Sequence, residues 1–314
     1  MKYFLLIVVV AIFQLFSSFV FSQNMELTGN IYPVYSVDFH PNGEQLIAGG
    51  HESKLKIWNL DSEIPLKEFS AYYDYVRCIK ISKSGKYVVS SCMDKPFNLY
   101  NLENDTLERV FEGHESSVWS IDISEDEKFV VSGSDDETVK LWDIATGKEI
   151  FTFKGHTSDV MSVVFTPQGD KIISASKDGT VRVWNIATKS QILKINASAD
   201  FLLSVDIHPL QPQIATVGND GFLRIWNLQN GQKLFEVSAH SAYISSLSYS
   251  VDGKYIATAS ADGSVKIWDS QNCKLLQTIK VENDVLRAVA FHPNGKKIAT
   301  AGNSGVIYIY NIAN

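Results

Sequence analysis

Hydrophobic positions fall in short β-rich runs separated by polar turns through most of the chain. Between Gly113 and Phe153, Val118, Ile121 and Ile123 occupy one run, and Ser124-Glu125-Asp126-Glu127 breaks it. Phe129-Val130-Val131 opens a second run, Asp135-Asp136-Glu137 turns the chain again, and Val139 and Leu141 then alternate with Lys140. Ala145-Thr146-Gly147 makes a third turn before Ile150, Phe151 and Phe153. Apolar runs of this length, alternating and bounded by turn residues, predict pleated strands. The stretch therefore predicts four antiparallel strands joined by tight turns. No segment of it reads as a long helix, and the predicted class is all-β.

The same stretch is repeated. Tryptophan or tyrosine followed by asparagine or aspartate recurs seven times, always 42 residues apart: Trp58-Asn59, Tyr100-Asn101, Trp142-Asp143, Trp184-Asn185, Trp226-Asn227, Trp268-Asp269 and Tyr310-Asn311. A period in the low forties predicts a radial β array. One such sheet has two apolar faces and cannot bury both alone, whereas stacking sheets around an axis covers them and leaves only short edges. Period, Gly-His openings, turn aspartates and Trp-Asp endings occur together, and over residues 24–314 the chain closely resembles the WD-repeat family of β-propellers. The resemblance implies a seven-bladed β-propeller of four-stranded antiparallel blades, closed by pairing the two ends of the chain in one blade. The last repeat stops at Ile312-Ala313-Asn314, just after its third strand. Three periods before Ile150–Gly155 lies Asn24–Gly29, with Met25 and Leu27 in the places of Phe151 and Phe153. Asn24–Thr28 is therefore expected to complete the last blade.

Length and composition adjust this picture at its edges. A chain of 314 residues ordinarily suggests about two domains, but an uninterrupted repeat argues for one ring over 23–314. Residues 1–22 differ from the rest: Lys2 precedes an apolar run from Tyr3 to Phe16 broken only by Gln14, and Val20-Phe21-Ser22 leads to Gln23. A positive start, a short apolar core and a small residue before the cut read as a secretory signal peptide. The expectation is an exported, periplasmic or extracellular protein with no stable membrane insertion after cleavage. The alternative is an uncleaved anchor, since Tyr3–Phe21 could just span a bilayer. The net charge of −7 makes nucleic acid and anionic membranes poor partners. Of the three cysteines, Cys78 and Cys92 fall on adjacent strands of the second blade, where either a disulfide or two small buried side chains would fit.

Histidine, serine (or threonine) and aspartate co-occur in three copies: His114, Ser132 and Asp136; His156, Ser174 and Asp178; His240, Thr258 and Asp262. Each set keeps one offset from its tryptophan, Trp142, Trp184 or Trp268. An active site is rarely built three times in one ring, and no strained nucleophile turn or oxyanion donor pair accompanies any copy. The family resemblance implies instead a structural hydrogen-bond network in which aspartate accepts from histidine, with histidine and the hydroxyl bridging toward tryptophan. The other blades depart from this pattern, as at Ala48 and Glu52 of the first and Ser304 of the last. His40, His208 and His292 share one register on separate blades, so no metal site is assigned, and no cofactor is expected.

By the same resemblance, side chains three and five residues after the histidine position line the mouth of the central channel. The outer positions hold Pro33, Tyr75, Ser117, Asp159, Phe201, Tyr243 and Val285. The inner ones hold Tyr35, Arg77, Trp119, Met161, Leu203, Ser245 and Arg287. A border follows at His51, Met93, Asp135, Lys177, Asn219, Ala261 and Asn303. Aromatic residues and arginine are enriched where proteins meet partners. Trp119 is the only tryptophan outside the repeat endings, so the repeat does not require it. The expected function is a non-catalytic, monomeric scaffold gripping a peptide or protein loop through Tyr35, Tyr75, Arg77, Trp119, Met161, Phe201, Leu203, Tyr243 and Arg287. Two alternatives stand beside it: side chains that merely plug the channel, and a propeller enzyme or small-ligand sensor using the opening.

Overall fold

The computed structural model describes residues 25–30, 32–62, 65–70, 74–93 and 96–312. The expected leader, residues 1–22, lies outside them, as does Asn24 of the expected closing segment. Seven four-stranded antiparallel sheets are arranged as blades, six built from consecutive strands and one shared between the chain's two ends. In the third blade the strands run Val118–Ile123, Phe129–Ser134, Thr138–Asp143 and Glu149–Lys154. Each blade's first strand touches the first strands of both neighbours, and Val34–Phe39 meets Leu286–Phe291 to close the circle. The first strands therefore line the axis and the fourth form the outer edge. Burial follows: the second strands are almost wholly enclosed, whereas outer strands such as Lys233–Ser238 are largely exposed.

Closure uses a strand of three residues. Met25–Leu27 lies antiparallel to the last strand, with Met25 opposite Ile309 and Leu27 opposite Ile307. Leu27 is fully buried in the cluster shared by the first and last blades. The backbone just beyond it is held from the first blade. Trp58 Nε1 donates to the Thr28 carbonyl at 3.2 Å and Lys56 Nζ to the Gly29 carbonyl at 2.5 Å. Trp58 thus finds an acceptor although Ala48 supplies no hydroxyl.

Neighbouring blades are also clasped across the channel wall. Hydroxyls of Ser36, Ser120 and Ser162 accept the amide of Ile79, Val163 and Val205 on the next blade at 3.0–3.1 Å. Carboxylates two residues beyond this position in the repeat do the same: Asp38, after Ser36, accepts from Ile81, Asp122, after Ser120, from Phe165, and Asp206, after Ser204, from Tyr249 at 2.8–3.0 Å. On the opposite rim, His40 Nε2 donates to the Gly85 carbonyl and His292 Nε2 to that of Gly43, at 3.0 and 2.8 Å. Gly85 has φ +79°, and a Cβ there would come within 2.4 Å of the His40 ring, so glycine serves both the turn and the clasp.

Cys78 and Cys92 are not joined. The register sets Cys78 opposite Ser91 and Cys92 opposite Val76. Cys78 Sγ faces the Ile121 carbonyl of the next blade at 3.9 Å, and Cys92 Sγ faces the Pro96 carbonyl at 3.5 Å. Burial pushes the Cys78 thiol up to about 11, which keeps it a small packed group rather than a nucleophile.

Candidate functional site

The three polar sets form closed, buried chains. In the third blade Trp142 Nε1 donates to Ser132 Oγ at 2.8 Å, and Ser132 Oγ lies 2.6 Å from His114 Nε2. His114 Nδ1 lies 2.7 Å from Asp136 Oδ2. One assignment satisfies every atom: indole N–H to hydroxyl, hydroxyl O–H to imidazole, and imidazole N–H to carboxylate. The fourth blade repeats it through Trp184, Ser174, His156 and Asp178 at 2.7–2.9 Å. The sixth does so through Trp268, Thr258, His240 and Asp262 at 2.8–3.1 Å. Ser132 is 0% exposed and His114 4%, so the hydroxyl cannot meet a substrate.

The chain of donors requires a neutral imidazole, because protonating Nε2 would remove the acceptor for the hydroxyl proton. Burial lowers the affinity of the His240 ring for a proton, Asp262 only partly restores it, and Lys266 and Lys280 oppose the charge further, leaving it at about 4. The folded value lies below that of an unfolded histidine, so this ring contributes stability that is fully present above about pH 6.5 and is lost as pH falls toward 4. His156 is lowered in the same direction, chiefly by burial. In an NMR titration the His240 ring signals should stay in the neutral position at pH 5. A midpoint near that of free histidine would contradict the assignment.

The channel mouth is built by a repeated defect. Each first strand slips register once against its second strand: between Val34 and Ser36, Val76 and Cys78, Val118 and Ser120, Val160 and Ser162, Leu202 and Ser204, Ile244 and Ser246, and Leu286 and Ala288. The residue left over is Tyr35, Arg77, Trp119, Met161, Leu203, Ser245 or Arg287. A β-bulge re-aims one side chain out of the ladder, and these seven all line one cavity of about 720 Å³ on the axis.

Of the other residues expected at the mouth, Tyr243 lines this cavity, as do Lys177 and Asn219 from the border. Tyr75 and Phe201 stand outside its lining. Tyr75 stacks on His51 with ring centroids 3.7 Å apart, and Phe201 is 49% exposed.

Within the cavity the Arg77 guanidinium lies between two aromatic rings, 4.3 Å from the centroid of Trp119 and 4.8 Å from that of Tyr35. Trp119 in turn donates through its indole nitrogen to Asp135. Lys177 sits 5.4 Å from the Trp119 ring and pairs with Asp159 at 2.6 Å. Arg287 covers Tyr243 at 5.9 Å. Such cation–π contacts are worth about 0.5–2 kcal/mol each and hold flexible cations in place.

Below the bulges the wall carries Asp38, Lys80, Asp122 and Asp206, which sequence reasoning missed as channel residues. Their signal was legible, since all four share one register and three of them are carboxylates exactly two periods apart. Burial raises the carboxyl groups, Asp122 to about 6, and Lys80 draws them back down. Lys80 is pushed further up, first by Asp38 and against its own desolvation, so it stays charged. Lys80 lines the channel among these carboxylates, and its side chain is exposed to solvent there. Among the described residues no group of three or more histidines, cysteines or carboxylates is placed to hold a metal ion, and no helix is long and apolar enough to cross a membrane.

Comparison with known proteins places this geometry. The family model for the WD domain, G-beta repeat, matches residues 21–59, 63–95, 105–143, 147–185, 189–227, 231–269 and 273–311. A 70-residue stretch is 36% identical to Protein HIRA of Dictyostelium discoideum, taking in 18% of this chain and only 6% of that protein's length. Seven matched repeats on seven blades leave one assignment: the chain belongs to the WD40 family, the WD domain, G-beta repeat proteins.

Proposed function

We propose that this protein is a non-catalytic docking platform that holds an extended segment of a protein partner over the mouth of its central channel. WD40 propellers generally mediate protein–protein interaction, and what supports this face is the set of bulged side chains. Seven copies of one backbone defect turn seven different residues toward one opening, and five of them are large aromatic, aliphatic or cationic groups beside Met161 and Ser245. Large side chains already fixed by stacking lose little rotamer freedom on binding, which is what makes tyrosine, tryptophan and arginine effective anchors. The open volume on the axis favours an occupied mouth over one packed shut. Tyr75 and Phe201 flank the opening and extend the contact outward. The signal-peptide pattern of residues 1–22 supports action outside the cytoplasm.

Protein recovered from its host should begin at Gln23 and carry a partner. Trp119→Ala combined with Arg77→Ala should lose that partner while keeping the wild-type melting profile. Undiminished capture by the double variant would remove this face from consideration.

A further inference from the structure

Five arginines occur in the chain, at 77, 109, 182, 224 and 287. Three end on protein acceptors: Arg109 on the Ala145 carbonyl, Arg182 on Gln191, and Arg224 on Asp220 and Glu236. The two at the mouth do not. Arg77 is tethered through Nε, 2.9 Å from Met93 Sδ, and Arg287 through Nε to Asn303 Oδ1 at 3.1 Å. Among the described residues neither forms an ion pair, and neither engages its terminal nitrogens in a hydrogen bond. The nearby carboxylates are committed elsewhere: Asp135 to the Trp119 indole, Asp159 to Lys177 and Asp74 to the Tyr75 amide.

These two cations sit on the blades either side of the one that carries Tyr35. Both line the one cavity, and Arg287 disfavours the charge on Arg77 in addition to burial, which disfavours it most. Among the described residues neither half-buried guanidinium is ion-paired, although Asp135 and Asp74 favour the Arg77 charge from a distance, and an anion between the two relieves their repulsion. Guanidinium nitrogens left free in a planar fork match a carboxylate in geometry as well as charge. Depth is set by what lies beneath. Asp38, Asp122 and Asp206 outnumber Lys80 one level down and would repel an anion pushed further in.

We infer that the docked segment carries an aspartate or glutamate whose carboxylate bridges Arg77 and Arg287 over Tyr35, at the level of the bulges and no deeper. This rests on the docking role proposed above and names the chemistry of its partner.

The test is to pan random linear peptides displayed on phage against the purified full chain, and to synthesise those whose binding is lost in Trp119→Ala. The expected result is one position restricted to aspartate or glutamate. Changing that residue to its amide should weaken binding about tenfold, the weight of one charge-assisted contact. The same change should have little effect on Arg77→Gln/Arg287→Gln. Inorganic phosphate alone should compete only weakly, because a free anion lacks the aromatic contacts. Should the double variant melt early, Arg287→Lys carries the test, since it keeps the charge and loses the fork; acid-over-amide discrimination should then shrink severalfold. Trp119-dependent peptides with no acidic preference, discrimination that survives the arginine variants, or phosphate competing as well as peptide would each overturn the carboxylate and leave the docking role standing. Failure to recover any Trp119-dependent peptide would overturn both.

Discussion

Removing residues 23–30 is expected to unfold the ring rather than trim it. Leu27 is fully buried between the first and last blades, and Met25 packs against the same cluster. Losing one buried leucine side chain alone costs about 2–5 kcal/mol. The deletion also takes away the carbonyl of Thr28 from Trp58 and that of Gly29 from Lys56, both on strands of the first blade. A buried donor left without a partner costs about 1–3 kcal/mol, a cost that falls on the Trp58 indole, whereas Lys56 keeps its ion pair with Glu52 at 2.5 Å. Asn30 Nδ2, which donates to the Gly305 carbonyl at 3.1 Å, disappears as well. Together these losses rival the whole stability of an ordinary domain, about 5–15 kcal/mol. Thermal unfolding followed by circular dichroism should show the cooperative transition abolished, or displaced below growth temperature. A truncated chain melting like the full one would mean that the seam is held by something other than this strand. Leu27→Asp should act in the same direction with a single change.

That seam shows what the sequence makes legible and what it hides. Met25 and Leu27 could be placed because their spacing repeats that of Phe151 and Phe153 three periods later, and side-chain periodicity is what a sequence displays. The partner of Trp58 could not. Ala48 announces a missing hydroxyl, but its replacement is a backbone carbonyl, and a carbonyl carries no residue identity. The mouth divides in the same way. Its seven inner positions follow from a fixed offset in each repeat, whereas the bulge that turns them toward the axis is a backbone event with no residue type common to Tyr35, Trp119 and Ser245. The clasping carboxylates were visible as letters only. Asp38, Asp122 and Asp206 each interrupt an apolar run, and only the stacked first strands reveal that they accept an amide from the next blade. Blade-to-blade contacts lie about one period apart, beyond the range at which local pattern constrains pairing.

Ser132→Ala should be among the most damaging single changes that leave the ring's closure untouched. The hydroxyl is fully buried and serves two partners, accepting from Trp142 and meeting His114 Nε2. Alanine strands both, at about 1–3 kcal/mol for each unpaired group, so about 2–6 kcal/mol in all. Threonine performs the same double task at Thr258 in the sixth blade, with Trp268 at 3.0 Å and His240 at 2.8 Å. Ser132→Thr should therefore cost much less than Ser132→Ala, although it is the larger change in volume. Urea unfolding of the two variants separates the hydroxyl from the packing. If the alanine protein proves as stable as the threonine one, the buried chain contributes shape alone. Near neutral pH the loss should include faster exchange of the Trp142 indole proton.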